Sequence, residues 1–189
     1  MKKITLLICC IFLVSALTSC GGKNVQEKAE EAFHSVLEGY DENAQYQLIY
    51  LNDDDIPELA VITDFAHSSG AELYAYIDGK AEQVYALTKD GYISTQFGSW
   101  GAFYYLERQG KVEHSYDRNG GAGEFGFVCE WDGTSAEMQI LYTYDIHIEF
   151  FEEGRNYETS YYIDDEPVTF EEYNKVMELL DHAEKFEYK

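Results

Sequence analysis

The side chains of this chain that could do chemistry are above all carboxylates. The 189 residues include 36 Asp and Glu against 13 Lys and Arg, with a formal net charge of −23 at pH 7. Two carboxyl groups roughly 5–10 Å apart across a cleft, one of them with a raised pKa, can hydrolyse a glycosidic bond. The sequence does not show which two carboxylates lie close together, so no catalytic residue is assigned. A carboxylate-based envelope hydrolase is therefore kept as the alternative function.

The nucleophilic side chains lack the neighbours that would activate them. His67 and Ser68 are adjacent, but no strained G-x-S-x-G elbow surrounds the serine. Cys129 lies in the apolar stretch 125–131, which favours a small buried side chain over a reactive thiol. The remaining histidines have no paired Cys/His spacing, so a zinc site has no support. These patterns favour a binding or structural protein over an enzyme.

The sharpest local pattern is the acidic stretch 50–59, which reads YLNDDDIPEL. It resembles the D-x-D/N-x-D-G-x-P-E-L loop of uncharacterised Gram-positive lipoproteins, and it is similar to calcium loops of dockerin, EF-hand and FG-GAP type. In such loops alternate side chains converge on one point, where their oxygens replace the hydration shell of calcium. The resemblance implies a calcium site with side-chain ligands Asn52, Asp54 and Glu58 and a carbonyl ligand from Ile56.

The same stretch also departs from the calcium pattern. Tyr50 stands where the first ligand should be, Asp55 replaces the turn glycine, and Val61 stands where an EF-hand has its last glutamate. Aspartate tolerates the left-handed conformation that a turn requires. The alternative to calcium is therefore a solvated acidic turn between two strands, at 46–51 and 59–63, with no cofactor.

Aromatic residues are the second lead. The chain has 17 Tyr, 11 Phe and 2 Trp. Exposed aromatic side chains beside flexible glycines form platforms for peptides or sugars, because they offer a large contact area at low entropic cost. We expect Trp100, Tyr104 and Tyr105, with the glycine-rich loop 118–124, to form such a surface. The alternative is that the tyrosines reflect strand propensity alone.

The elements that must position these residues are two helices and a series of strands. Apolar residues at helical spacing predict an amphipathic helix from Val25 to near Gly39. Alternating patterns separated by Asp-Gly and similar turns then predict an antiparallel meander. A capping box at Thr169 and Glu172 predicts a second helix near the C-terminus, and the tail 184–189 is expected to fray. The fold class is therefore α+β, with an antiparallel sheet system flanked by an N-terminal and a C-terminal helix in one domain, 25–189.

The N-terminus carries a sequence pattern that predicts where in the cell the protein is located. Lys2 and Lys3 precede an apolar stretch, 4–17, that is too short for an ordinary spanning helix. The stretch ends in Leu17-Thr18-Ser19-Cys20, which resembles a bacterial lipobox. The resemblance implies that residues 1–19 are a signal peptide, that Cys20 receives the lipid, and that residues 20–24 form a tether to the membrane.

The charge of the processed chain limits the classes of partner that it can bind. Without Lys2 and Lys3, the 13 Lys and Arg become 11 against 36 Asp and Glu, so the net charge changes from −23 to −25. Such a chain is repelled by nucleic-acid phosphates and by anionic headgroups. We therefore expect a lipid-anchored binding or structural module on the extracytoplasmic face of the cell membrane, with a peptide, a glycan or an envelope protein as partner and no nucleic acid.

Overall fold

The computed structural model describes residues 24–66, 69–117, 122–151 and 156–188. The first half contains helix α1 (Val25–Leu37) and strands β1 (Gln45–Ile49), β2 (Glu58–Ile62), β3 (Ala71–Ile77), β4 (Lys80–Gln83), β5 (Tyr85–Leu87), β6 (Ile93–Ser94) and β7 (Gln96–Phe97). The second half contains β8 (Ala102–Leu106), β9 (Lys111–Asp117), β10 (Gly123–Glu130), β11 (Glu137–Phe151), β12 (Asn156–Ile163), β13 (Glu166–Val168), helix α2 (Phe170–Met177), a 3₁₀ turn (Glu178–Leu180) and β14 (Glu184–Glu187). The predicted signal peptide, Cys20 and the tether before Asn24 lie outside the described residues.

The first sheet has five strands and carries α1 on one face. Its order is β1-β2-β3-β4, with β7 paired to β3, and these pairings are antiparallel. A capping box starts α1, because the Asn24 side chain accepts the N–H of Glu27 and the Glu27 carboxylate accepts the N–H of Asn24. This exchange satisfies donors that a helix start leaves free. The buried Phe33 then packs against Leu59 and Val61 of β2.

The second sheet has nine strands, and α2 covers part of one of its faces. The order β13-β12-β11-β10-β9-β8-β14 is antiparallel throughout, and β5 joins β11 in the one parallel pairing among the described strands. The predicted capping box at Thr169 and Glu172 starts α2. Tyr173 of α2 packs against Tyr142 and Tyr144 of β11. The helix thus lies over the β10–β12 side of the sheet, and β14 forms the edge at the other side.

The two sheets pack face to face over the main core. The first sheet contributes residues such as Ile62 and Leu73, and the second contributes Phe103, Val112 and Phe127, all of them buried. Each such apolar side chain stabilises the fold by roughly 1.5–3 kcal/mol on burial. Because side chains alternate along a strand, the residues between these core positions in β8, β9 and β10 point to the opposite face, the one that α2 partly covers.

The predicted antiparallel, sheet-rich fold with two helices is confirmed. Glu137–Phe151 forms one long strand, β11, because β10 and β12 pair with successive parts of it. The prediction of a frayed tail is wrong. Residues 184–187 form β14, in which Phe186 is buried in the main core and pairs with Phe103. In the described residues a strand therefore follows the second helix, so α2 is not the last element.

Candidate functional site

An open groove with a volume of about 440 Å³ lies on the part of the nine-stranded sheet that includes β8, β9 and β14. We call it the aromatic groove. Its lining combines three aromatic rings, three glutamates, one lysine, two serines and an alanine: Phe65, Ser99, Trp100, Ala102, Tyr104, Glu113, Ser115, Glu124, Lys185 and Glu187. Apolar walls with a few convergent polar groups are typical of ligand sites.

The strand register shows which residues form the floor of the groove. Tyr104 of β8 pairs with Lys185 of β14 on one side and with Glu113 of β9 on the other. Directly paired residues of antiparallel strands point to the same face. The three side chains therefore form one row across the sheet, and Ala102, paired with Glu187, lies in a neighbouring row.

A tight two-residue turn presents the Trp100 side chain. Ser99 and Ala102 exchange backbone hydrogen bonds of 3.0 and 2.9 Å, while Trp100 and Gly101 both have positive φ, 54° and 64°. A turn of this kind normally takes Asn, Asp or Gly at its first central position. A bulky residue with positive φ is an outlier, and such strain is concentrated at functional sites.

Contacts from outside the turn hold it in place. The Gly101 N–H donates to the Ser69 carbonyl at 2.9 Å, and the Gly101 carbonyl accepts the Tyr188 N–H at 2.7 Å. The Phe65 ring lies 6.2 Å from the Trp100 ring, centroid to centroid. Trp100 nevertheless keeps 44% of its surface exposed. The structure thus fixes the backbone of this tryptophan and leaves its ring accessible.

The floor of the groove also holds two carboxylates that share one phenol. The Tyr144 hydroxyl donates to Glu113 at 2.6 Å, and Glu124 is a second, longer partner at 3.3 Å. The two carboxylate oxygens are thus no farther apart than the sum of these bonds, about 6 Å. Burial raises the pKa of the Glu113 carboxyl, the Tyr144 hydrogen bond lowers it, and the nearby Glu124 charge raises it.

Gly126 makes this contact across the sheet sterically feasible. Tyr144 lies on β11 and Glu113 on β9, and Gly126 of the intervening β10 pairs with Tyr144. A Cβ atom at Gly126 would lie 2.4 Å from the Tyr144 phenol and 2.5 Å from the His114 carbonyl oxygen. A glycine inside a strand often marks such a close approach. Its missing side chain lets the phenol pass over β10 to Glu113.

At the edge of the groove an ammonium group of the protein rests on an aromatic ring. The Lys185 Nζ lies 5.3 Å from the centroid of the Tyr104 ring and pairs with the Glu187 carboxylate. Ser99 and Ser115 add a pair of hydroxyl groups 3.0 Å apart. The groove therefore offers aromatic faces, anionic oxygens and hydroxyl groups within one cavity.

The structure brings together two of the three predicted surface aromatics. Trp100 and Tyr104 both line the groove, whereas Tyr105 is only 6% exposed and lies in the main core, stacked on Phe103 at 5.4 Å. Tyr105 is therefore not part of the predicted surface, and the prediction is wrong for this residue. Successive residues of a strand point to opposite faces, so Tyr104 and Tyr105 cannot both face the groove. Of the predicted loop 118–124, residues 118–121 lie outside the described residues.

Glu124, the last residue of the predicted loop 118–124, lines the groove, but sequence reasoning missed Glu113, Lys185 and Glu187. Each is one of many charged residues, and only the pairing of distant strands shows which of them converge. The sequence did contain one usable signal, since Trp100-Gly101 between Ser99 and Ala102 occupies the place of an Asn-Gly or Asp-Gly hairpin turn.

The predicted calcium loop forms a turn held by its own hydrogen bonds. The Asn52 side-chain oxygen Oδ1 accepts the Asp54 N–H at 3.0 Å, and the Asp54 carboxylate accepts the N–H of Ile56 at 2.8 Å and the side-chain N–H of Asn52 at 3.0 Å. The Glu58 carboxylate is 2% exposed and accepts the Leu51 N–H at 2.7 Å. Within the described ranges, no group of three or more His, Cys, Asp or Glu is arranged to hold a metal ion. The Asn52, Asp54, Ile56 and Glu58 calcium site stays a prediction.

Cys129 adds no chemistry to the groove. Cys129 is buried, and burial raises the pKa of its thiol to about 12, which makes it a poor nucleophile. His67 and Ser68 lie outside the described residues, as do Leu17, Thr18, Ser19 and Cys20 of the predicted lipobox. In the described part of the chain, no helix has the length and apolarity needed to cross a membrane.

Comparison of the chain with protein-family models, with curated proteins and with solved structures gives no match.

Proposed function

We propose that this chain is a lipid-anchored binding module on the extracytoplasmic face of the cell membrane, and that the aromatic groove is its ligand site. The observation that carries the proposal is the convergence of Trp100 and Tyr104 with three glutamates in one cavity. The strained backbone of Trp100 supports it further, because an exposed tryptophan at this turn position costs stability without filling the core.

The ligand-binding part of the proposal is tested by the fluorescence of Trp100. The chain has two tryptophans, and Trp131 is 4% exposed in the core, so a surface ligand should change the emission of Trp100 alone. The full chain, purified in a non-ionic detergent, is titrated with panels of peptides and glycans. We expect a saturable change with at least one class of ligand, and its loss in Trp100→Phe.

A matched control uses Tyr157, which is 70% exposed on β12, outside the groove lining. Tyr157→Ala should bind as the wild type does, whereas Tyr104→Ala should bind more weakly. If neither peptides nor glycans change the Trp100 emission, the groove is not the ligand site.

The lipid-anchored part of the proposal depends on Cys20. Two acyl chains, each contributing about 0.8 kcal/mol per buried methylene, give stable anchoring, whereas one chain binds reversibly. Wild-type cells fed a palmitate analogue should label the protein and retain it in the membrane fraction. Cys20→Ser should abolish both the label and the retention, with Cys129→Ser as the matched control. Labelling that survives Cys20→Ser would refute the anchor.

A second function, carboxylate-based hydrolysis, is favoured by one specific observation. Glu113 and Glu124 share the Tyr144 hydroxyl, the two hydrogen-bonded oxygens lie within about 6 Å of each other, an upper limit that includes the carboxylate spacing of retaining glycosidases, and burial raises the pKa of Glu113. Binding remains the first proposal because the phenol lies between the two carboxylates, where a glycosidic bond would have to lie. Turnover of a glycoside that Glu113→Gln and Glu124→Gln each abolish, at unchanged melting temperature, would establish the hydrolase. Activity that survives both substitutions would exclude it.

A further inference from the structure

We propose that the aromatic groove binds a peptide segment through the ammonium group of a lysine side chain. This inference rests on the proposed function and names the chemical class of its ligand. It is supported by the charges in the groove, by the position of Lys185, and by the edge strand beside the cavity.

The charges in the groove favour a cationic ligand. The lining includes the carboxylates of Glu113, Glu124 and Glu187 and the ammonium of Lys185. Lys185 pairs with Glu187. In the part of the chain that the structure describes, no Lys or Arg forms an ion pair with Glu113 or Glu124, whose partner is the neutral donor Tyr144. Glu113 and Glu124 are both half-buried, and among the described residues neither has a basic partner.

Lys185 already shows how the groove accommodates an ammonium group. Its Nζ lies 5.3 Å from the Tyr104 ring centroid and contacts the Glu187 carboxylate. A cation within about 6 Å of an aromatic centroid is attracted to the ring face, most strongly for Trp. Trp100 lines the same groove as Glu113 and Glu124, so the groove places a second aromatic ring and two further carboxylates within reach of a ligand ammonium.

The position of β14 favours a peptide over a small free amine. β14 carries Lys185 and Glu187 and lies at the edge of the nine-stranded sheet, where β8 is its one partner among the described strands. An edge strand presents backbone donors and acceptors to which an extended peptide can add, while its side chains enter the adjacent pocket. The exposed rings of Phe65 and Trp100 can cover the methylene stem of a ligand lysine.

The test compares peptides that differ in one charge. The full chain in non-ionic detergent is titrated with a short peptide containing lysine, with the same peptide containing norleucine, and with spermidine, and Trp100 emission is recorded. Norleucine has a similar apolar stem without the ammonium group. We expect saturable binding of the lysine peptide, at least tenfold weaker binding of the norleucine peptide, and weaker binding of spermidine. Glu113→Gln and Glu124→Gln should each weaken the lysine peptide several-fold, and Glu158→Gln on β12, whose residue is exposed, should not.

Every other outcome overturns the proposal in a defined way. Equal affinity for the lysine and norleucine peptides would refute ammonium recognition, and equal affinity for spermidine would refute the role of the peptide backbone. A response to neutral oligosaccharides but not to the lysine peptide would refute this inference and leave the groove as a binding site. No response to any probe would remove both proposals.

Discussion

At the scale of single residues, Trp100 is the clearest case in which a strained backbone lowers the stability of the fold while it keeps an aromatic ring exposed on the surface. Left-handed backbone costs a non-glycine residue roughly 1–2 kcal/mol, and Asn tolerates it better than Trp. We predict that Trp100→Asn raises the free energy of unfolding by up to about 1 kcal/mol while it abolishes ligand binding. Urea denaturation and a binding assay on the same preparation measure both effects. A variant that loses stability would show that Trp100 contributes packing instead.

The Tyr144 hydroxyl is the second residue-scale test. Removing it in Tyr144→Phe leaves the Glu113 carboxylate without its 2.6 Å donor, and losing a bond to a charged or half-buried partner costs about 1–3 kcal/mol. Tyr142→Phe is a matched control on the same strand, since its hydroxyl makes only a 3.4 Å contact with the Val176 carbonyl. Equal unfolding free energies for the two variants would show that the Tyr144–Glu113 bond contributes little.

His114 gives the fold a pH dependence of known sign. The residue is 1% exposed between Tyr116 and Phe127, and burial lowers its pKa to about 4. Between pH 6.5 and pH 4 the unfolded chain therefore binds the additional proton, and stability is lost as the pH falls, by about 3 kcal/mol for this one group. We predict that His114→Leu removes this loss. Parallel stability curves for variant and wild type would contradict the prediction.

At the scale of elements, the turn between β1 and β2 contributes a stability that falls as the pH rises, which is opposite to the effect of His114. Burial raises the pKa of Glu58 to about 8, while the Leu51 N–H lowers it and the Asp54 charge raises it. The folded chain holds the additional proton, so the stabilising contribution of Glu58 is present below pH 4.5 and is lost as the pH rises to about 8. We predict that Glu58→Gln flattens the stability curve between pH 5 and pH 8. An unchanged slope would show that Glu58 is ionised throughout.

The same turn is where calcium can be tested. A calcium ion needs Asp54 and Glu58 as ionised ligands, in competition with the hydrogen bonds that now close the turn. A rise in melting temperature with millimolar calcium, erased by Asp54→Ala, would establish the predicted site. Identical melting curves would show that the turn is structural.

Helices and turns could be predicted from the sequence because their signals lie within a few residues. The pairing of strands that are distant in the sequence could not. Both helices carry signals within a few residues, such as the capping box at Thr169 and Glu172, and the Asp78-Gly79 turn has the positive φ values that the dipeptide predicts. β14 was missed because a four-residue strand at the chain end becomes stable only by pairing with β8, eighty residues away. Since Lys185 and Glu187 lie on that strand, sequence reasoning could not place these two of the ten groove residues.

At the scale of the whole molecule, charge creates an alternative explanation for any bound cation. A chain with a net charge of −23 attracts cationic peptides over its entire surface, and salt screens this attraction. Specific binding in the groove adds ring contacts and partly buried carboxylates, which salt weakens less. The location of the bound peptide therefore decides between general attraction and a site.

Amide chemical-shift mapping of the full chain with the lysine peptide, at an ionic strength of about 0.15 M where exposed charges are screened beyond about 8 Å, tests the central claim most directly. The aromatic groove predicts that the largest shifts cluster at residues 98–104, 113–115 and 185–188, and that Glu113→Gln diminishes them. Shifts centred on the exposed acidic turn 53–55, or spread evenly over the acidic surface, would contradict the groove as the ligand site.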